Sequence, residues 1–152
     1  MKRQGGRVTD ILVSLFFATG LFRIWHFLNR KRITILMLHG VNDPEVPASW
    51  RPLWDRLDKD LFEEVLRSLS DYYTFVSLDT AVDILSGKTP GVDNGLVLTF
   101  DDGYANNFSV AVPVLRKLGV PATFFVTTGY IGTGRSFWID RLDFAIQHAP
   151  DD

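Results

Sequence analysis

Four short apolar runs, separated by helical patterns, constrain the fold of this chain more than any other feature. The runs are residues 33–38, 74–78, 96–100 and 122–127, and each is rich in β-branched or aromatic residues. The first and third are continuously apolar, which is typical of strands buried on both faces. Strands that alternate with helices in short units predict an α/β fold with a parallel sheet. These units alone leave open whether the sheet is open or closes into a barrel.

Local signals place the helices between these runs. Asp60, with Glu63 three residues later, predicts a capped helix start. A second, short helix is expected from about Thr80 to the glycine at position 87, which is suited to a left-handed helix end. A third helix precedes Gly119 and the strand at 122–127.

Composition excludes several classes of protein. The chain has 152 residues, which is one domain's worth, and its 46% hydrophobic and 22% charged residues exclude disorder and a coiled coil. It has no cysteine, so disulfide scaffolds, cysteine-based zinc sites and cysteine nucleophiles are excluded. The net charge of −2 gives no reason to expect nucleic acid as a partner.

The charge is unevenly distributed, and this predicts two parts, a basic head at 1–32 and a body at 33–152. The head contains seven basic residues and one acidic residue, while the body contains nine basic and seventeen acidic residues. Its apolar segment, 11–28, is interrupted by polar residues, so its uninterrupted core is too short to span a bilayer. We expect membrane attachment, by an anchor or a surface helix, and the alternative is a helix packed on its own domain. The basic cluster at 30–32 favours the cytoplasmic side for the body, with an extracytoplasmic location as the alternative.

Two adjacent carboxylates, Asp101 and Asp102, directly follow the third apolar run. Functional sites of parallel α/β folds lie at the carboxyl ends of the strands. Neighbouring carboxylates repel each other, so keeping both there is costly unless a cation or a proton transfer uses them. The alternative is a hairpin turn closed by Asp-Gly, but the residues that follow have a helical pattern rather than that of a returning strand. The pair therefore predicts a functional site.

Several segments resemble a known family. The segment 99–103, Thr-Phe-Asp-Asp-Gly, resembles the first signature motif of the polysaccharide deacetylases, the NodB-homology group or carbohydrate esterase family 4. Residues 35–41 resemble that family's opening strand, 119–126 the strand after the motif helix, and 137–140 a segment of one branch. The resemblance covers about 34–148, and it identifies the N-terminal part of such a domain.

The resemblance implies a distorted (β/α) barrel that removes N-acetyl groups from the amino sugars of a polysaccharide. It makes Asp101 the catalytic general base and Asp102 a ligand of a divalent metal, usually zinc. The predicted partner is accordingly an acetylated amino-sugar polysaccharide, with the head as a contact to a membrane surface.

Three further residues are candidates for lining the site. His39 follows the first strand and opens on the same rim as the acidic pair, although bracing the loop from Val41 is the favoured interpretation. Tyr104 follows the pair after Gly103, and Trp138 is suited either to stack on a sugar ring or to pack a loop.

The sequence also departs from the family pattern. The family completes its metal site with a His-Ser/Thr-x-x-His motif, and the three histidines here, His26, His39 and His148, contain no such pair. Catalytic zinc usually has three protein ligands. We therefore expect a truncated domain that is inactive alone. The alternatives are a degenerate, membrane-attached glycan-binding domain and a magnesium-dependent phosphoryl-transfer domain.

Overall fold

The computed structural model describes residues 17–45 and 57–149. The helices are α1 (Leu21–Leu28), α2 (Lys59–Ser70), α3 (Leu78–Leu85), α4 (Val112–Leu118) and α5 (Trp138–Gln147). The strands are β1 (Ile33–Leu38), β2 (Val41–Asn42), β3 (Leu57–Asp58), β4 (Thr74–Phe75), β5 (Gly95–Phe100) and β6 (Thr123–Phe124). A π-helical turn, Asn107–Ala111, leads into α4, and a 3₁₀ turn, Thr128–Tyr130, follows β6.

The main sheet is built around β5, and all its pairings are parallel. β1 runs beside β5 over its whole length, from Ile33 opposite Gly95 to Leu38 opposite Phe100. The other side of β5 is shared, because β4 pairs with its first two residues and β6 with its last two. β2 and β3 form a separate parallel pair. The predicted α/β fold with parallel strands is confirmed.

The main sheet has a core face and a cleft face. On the core face, Leu98 and Phe100 of β5 are completely buried against α2, α4 and the π-helical turn. The ring of Phe100 stacks on Phe124 at 4.9 Å between centroids and meets the edge of Phe62 at 6.1 Å. The cleft face carries Thr99 of β5, because side chains alternate along a strand. This core fixes the position of the strand that bears the acidic pair.

β1 differs from its prediction as a strand buried on both faces. Ile35 and Met37 point to the cleft face and are 59% and 55% exposed. Within the described ranges, β1 pairs only with β5, and of the residues on this face Ile33 packs against the cluster of Val76 and Ala81, whereas Ile35 and Met37 border the open cleft. The apolar run predicted a strand correctly, but its second face is open here.

Two strands are shorter than predicted, whereas β5 matches the predicted run 96–100 and adds Gly95. The run 74–78 stops at Phe75 because Ser77 caps α3, where the Ser77 hydroxyl accepts a hydrogen bond from the Thr80 N–H at 3.1 Å. The run 122–127 forms a strand only at Thr123–Phe124, where it reaches the end of β5.

The predicted cap of the first body helix is also different. α2 begins at Lys59, with Asp58 at the cap position and Asp60 inside the first turn, so the Asp60 cap was wrong. Glu63 instead accepts hydrogen bonds from Lys117 of α4 at 3.0 Å and from Arg67 at 2.8 Å. These two cations lower the pKa of the Glu63 carboxyl, and the hydrogen bond from Lys117 is the larger cause. The ion pair between Lys117 and Glu63 connects α4 to α2.

The described part of the head packs on the body. The ring of Phe22 meets the edge of Tyr72 at 5.4 Å, and the ring of His26 meets that of Tyr73 at 5.0 Å. Lys31 binds Asp93 at 2.6 Å, and this contact lowers the pKa of Asp93. In residues 17–45 and 57–149, no helix has the length and apolar character needed to cross a bilayer. The division at residue 32 stays a prediction.

Candidate functional site

The acidic pair lies where β5 ends. The Asp101 N–H donates to the Leu38 carbonyl of β1 at 2.9 Å, which continues the sheet pairing by one residue. The Gly103 N–H then donates back to the Asp101 carbonyl at 2.9 Å, which is the hydrogen-bond pattern of a γ-turn centred on Asp102. The backbone is therefore fixed on both sides of the two carboxylates.

The turn contains an unusual backbone conformation. Asp102 has a φ of 70°, and among the described non-glycine residues only Asn94 also has a positive φ. A residue with a Cβ pays roughly 1–2 kcal/mol for the left-handed region. Such strain is concentrated at functional sites, where the surrounding structure enforces it. The backbone strain thus falls on the residue that the sequence predicts as a metal ligand.

The next residue, Gly103, has a φ of 73° and lies against the segment after β6. A Cβ at position 103 would lie 2.9 Å from Cγ1 of Val126, so only glycine fits without movement. Sequence motif and geometry agree here, since the Asp-Asp-Gly turn requires a glycine at its third position.

Both carboxylates line an open cleft of about 460 Å³ on the cleft face. The other lining residues are Ile35, Met37, Leu78, Thr99, Phe125, Val126 and Thr127. The cleft thus combines apolar walls with two acidic groups, which is the composition expected of a site that binds a small molecule or a substituent of a larger one.

His39 lies beside the acidic pair. Its Nε2 atom is 4.0 Å from Oδ2 of Asp102, and the two side chains are 50% and 37% exposed. His39 therefore lies close to the predicted metal ligand, although it is not among the residues that line the cleft. The assignment of His39 to a site stays a proposal.

The neighbouring Gly40 explains how His39 is held at the rim. A Cβ at position 40 would lie 2.8 Å from Oδ1 of Asn106, so the Asn106 side chain packs directly on the Gly40 backbone. Sequence reasoning missed Asn106. The available signal was the pair Asn106-Asn107, because asparagine is a poor helix former and two of them interrupt a helical pattern.

Tyr104 and Trp138 lie near the pair but do not line the cleft. The Tyr104 hydroxyl donates to Oδ1 of Asp140 at 3.0 Å, and its ring meets that of Phe137 at 5.4 Å. Tyr104 therefore connects the acidic turn to α5. Trp138, at the start of α5, is 67% exposed. The predicted role of both residues as site-lining groups stays a proposal.

The described residues do not complete a metal site. In the ranges 17–45 and 57–149, no three histidine or acidic side chains are grouped as they would be around a metal ion. Asp102 and His39 offer two donors, and catalytic zinc usually has three from the protein. The geometry agrees with the missing histidine pair of the sequence.

Comparison with known proteins shows which family the chain resembles. The sequence profile of the family "Polysaccharide deacetylase" matches residues 88–142, which include the acidic pair. The chain is also 30% identical over 119 residues to YxkH of Bacillus subtilis (strain 168), whose name places it among the polysaccharide deacetylases. This chain is similar to part of a polysaccharide deacetylase. The matched region is 77% of this chain and 39% of the relative, so the chain spans well under half of that protein.

Solved structures of deacetylases share the fold of this chain. The de-N-acetylase from Aggregatibacter actinomycetemcomitans superposes with a TM-score of 0.58 at 27% identity, over 66% of this chain and 39% of that one. The Streptococcus pyogenes deacetylase PplD, in complex with acetate, superposes with a TM-score of 0.55 at 28% identity, over 78% of this chain and 53% of that one. The partial coverage agrees with the predicted N-terminal part of a (β/α) barrel.

Proposed function

We propose that the domain to which this chain contributes removes N-acetyl groups from the amino sugars of a polysaccharide. The observation that carries the proposal is the acidic pair on its strained turn, at the cleft end of β5, within a matched deacetylase segment. Two similar proteins support the chemistry, since one is titled a de-N-acetylase and the other was solved with acetate. Acetate is the acid released when an acetamide is hydrolysed.

Asp101 is the proposed general base. Its N–H is held by the hydrogen bond to the Leu38 carbonyl, and its side chain lines the cleft. In the reaction, a water oxygen bonds to the acetamide carbonyl carbon while Asp101 accepts a proton from that water. The bond between the carbonyl carbon and nitrogen then breaks, the nitrogen receives a proton, and acetate and a free amine remain.

Asp102 is the proposed ligand of a divalent metal, with zinc as the expected ion. A bound metal would polarise the carbonyl oxygen and lower the pKa of a bound water. The neighbouring carboxylates of the γ-turn thus have different proposed tasks, with Asp101 as base and Asp102 as ligand. His39, 4.0 Å from the Asp102 carboxylate, is the described side chain best placed to assist it. The remaining metal donors are not among the described residues.

The cleft suits the substrate in two respects. The apolar walls, including Met37 and Phe125, match the methyl group of an acetyl substituent. Trp138, exposed beyond Tyr104, offers an aromatic face for the apolar side of a sugar ring.

The two aspartates give the test. In the protein that carries the complete domain, Asp101→Asn should keep zinc affinity and reduce acetate release from an N-acetylglucosamine oligomer by about 10²–10⁴-fold, the usual effect of losing a general base. Asp102→Ala should weaken zinc binding, measured by calorimetry, together with turnover. The matched controls are Glu64→Gln and Glu64→Ala, which change an exposed carboxylate on α2.

Two results would contradict this assignment. Equal loss of zinc in both variants would remove the division into base and ligand. A wild-type protein that binds the oligomer but neither binds zinc nor releases acetate would favour the alternative of a degenerate glycan-binding domain. Nothing in the described residues favours the phosphoryl-transfer alternative.

A further inference from the structure

α1 presents an unusually apolar face to solvent. Five of its eight residues are large apolar side chains that are at least half exposed in the described part of the chain. They are Leu21 (51%), Ile24 (59%), Trp25 (50%), Phe27 (60%) and Leu28 (74%). A surface helix of a globular protein normally turns its apolar stripe towards the core. In α1 the relation is reversed.

The reversal is enforced by the opposite face of the helix. Phe22 and His26, one turn apart, fix α1 to the body through Tyr72 and Tyr73. At 3.6 residues per turn, the five exposed side chains occupy a continuous arc of about 160° away from that contact. Arg23 borders the arc on one side. We call these five residues the outer arc of α1.

Charge complementarity indicates what covers the outer arc. The head contains seven basic residues against one acid, whereas the body carries an excess of eight negative charges. Within the described residues, Asp93 of the body pairs with Arg30 and Lys31 and neutralises one of these charges. An apolar arc within a basic segment is attracted to an anionic lipid surface, which the acidic body would avoid.

We propose that α1 docks the protein on an anionic membrane surface. The helix lies in the plane of the interface, and the outer arc enters the boundary between headgroups and acyl chains. Trp25, at the edge of the arc, takes the headgroup level that tryptophan prefers. The described helix is suited to lie on the bilayer through one face.

Docking through α1 also sets where the acidic pair lies relative to the bilayer. α1 lies at the amino-terminal end of the sheet, where the Asn94 N–H donates to the Arg30 carbonyl at 2.6 Å just before β5 begins. Asp101 follows the other end of β5, roughly 20 Å away for six residues at about 3.3 Å each. The acidic pair therefore lies at the end of the sheet away from the docked helix, within reach of a polymer that extends from the surface rather than of lipid headgroups.

Vesicle binding by the full chain tests the proposal. Vesicles of phosphatidylcholine with phosphatidylglycerol should bind the protein at least about tenfold more tightly than phosphatidylcholine alone, and added salt should weaken the binding. The double variant Ile24→Glu/Leu28→Glu should lose at least about tenfold in affinity. Its matched control is Val82→Glu/Leu85→Glu on α3, since these residues are 52% and 75% exposed and should leave binding unchanged.

Tryptophan fluorescence gives a readout that does not depend on the charged variants. In a protein whose other tryptophans are replaced by phenylalanine, the fluorescence of Trp25 should be quenched by brominated lipid. Trp138, at the start of α5 beyond Tyr104, should not be quenched in the corresponding single-tryptophan protein.

Three results would overturn the proposal. They are equal affinity for both vesicle types, equal loss in the α1 and α3 double variants, and quenching of Trp138 as strong as that of Trp25. If the protein does not bind vesicles but sediments as a dimer, and Ile24→Glu/Leu28→Glu dissociates that dimer, the outer arc is instead a contact between two copies of the chain. None of these outcomes depends on acetate release, so the proposed activity is tested separately.

Discussion

Replacement of Gly103 by alanine tests whether the acidic turn is held as tightly as its geometry indicates. The new Cβ would adopt a φ of 73° and lie 2.9 Å from Cγ1 of Val126. The left-handed conformation costs roughly 1–2 kcal/mol. Alanine also leaves the unfolded chain less conformational freedom than glycine does, which offsets about 0.4–1 kcal/mol of this cost. Overpacking adds about 1–3 kcal/mol, at the lower end here because Val126 is half exposed. The expected net destabilisation is about 2 kcal/mol.

Gly87→Ala separates the conformational cost from the contact. Gly87 has a φ of 74°, but a Cβ there would meet nothing within 4 Å. This variant should therefore lose only about 1 kcal/mol, the conformational part of the cost. In urea unfolding followed by tryptophan fluorescence, a slope of about 2 kcal/mol per M places the midpoints about 1 M and 0.5 M below wild type, for Gly103→Ala and Gly87→Ala respectively.

A second substitution identifies the contact itself. Val126→Ala removes the methyl groups that a Cβ at position 103 would meet, so it should recover most of the extra loss in the double variant with Gly103→Ala. Equal midpoints for Gly103→Ala and Gly87→Ala would refute the reasoning, as would a double variant in which the two losses simply add. Either result would mean that the segment after β6 moves aside freely.

Three further predictions concern the core, an ion pair and the isolated chain. Phe62→Ala, in the core beside Phe100, should cost about 3–5 kcal/mol in urea unfolding, whereas Phe108→Ala, at a position 75% exposed, should cost little, and similar losses would contradict the placement of the core. Lys117 lowers the pKa of Glu63 from 4.5, so the stabilisation by the Glu63 carboxylate is complete above pH 4.5 and is lost as the pH falls through the lowered pKa. The difference in urea midpoint between wild type and Glu63→Gln should therefore vanish in acid. A difference that grows in acid would contradict this assignment. The 152-residue chain alone should release no measurable acetate from a chitin oligomer, because its described residues offer two metal donors; zinc-dependent release would mean that further donors come from within this chain or from a second copy.

The parts of the fold that depend on local pattern were predictable. β5 and the position of the acidic pair followed from one apolar run ended by two carboxylates, because both signals lie within a few residues of each other. The glycine at 119 was likewise predictable, and it ends α4 with a φ of 66°. Ser77 was a signal that the sequence analysis did not use, since serine is preferred at the N-cap, where its hydroxyl accepts a hydrogen bond from a backbone N–H of the first turn.

The parts that depend on distant partners were not predictable. The length of β6 is set by the point at which it meets Phe100 at the end of β5. The exposure of Met37 is set by which elements cover the cleft face. Which face of α1 turns inward depends on Tyr72, fifty residues further along the chain than Phe22. The contact between His39 and Asp102 likewise exists only once β1 has paired with β5.

The pairing of β1 with β5 also has a consequence for biosynthesis. Ile33 is opposite Gly95, so β1 leaves the ribosome 62 residues before its partner. At the usual rate of translation this interval lasts roughly 3 to 12 seconds. During that time Ile35 and Met37 stand on an unpaired, apolar strand, and such nascent segments are the ones that chaperones bind. The nascent chain thus carries an unpaired apolar strand until β5 emerges, and its acidic turn is organised only after the two strands have paired.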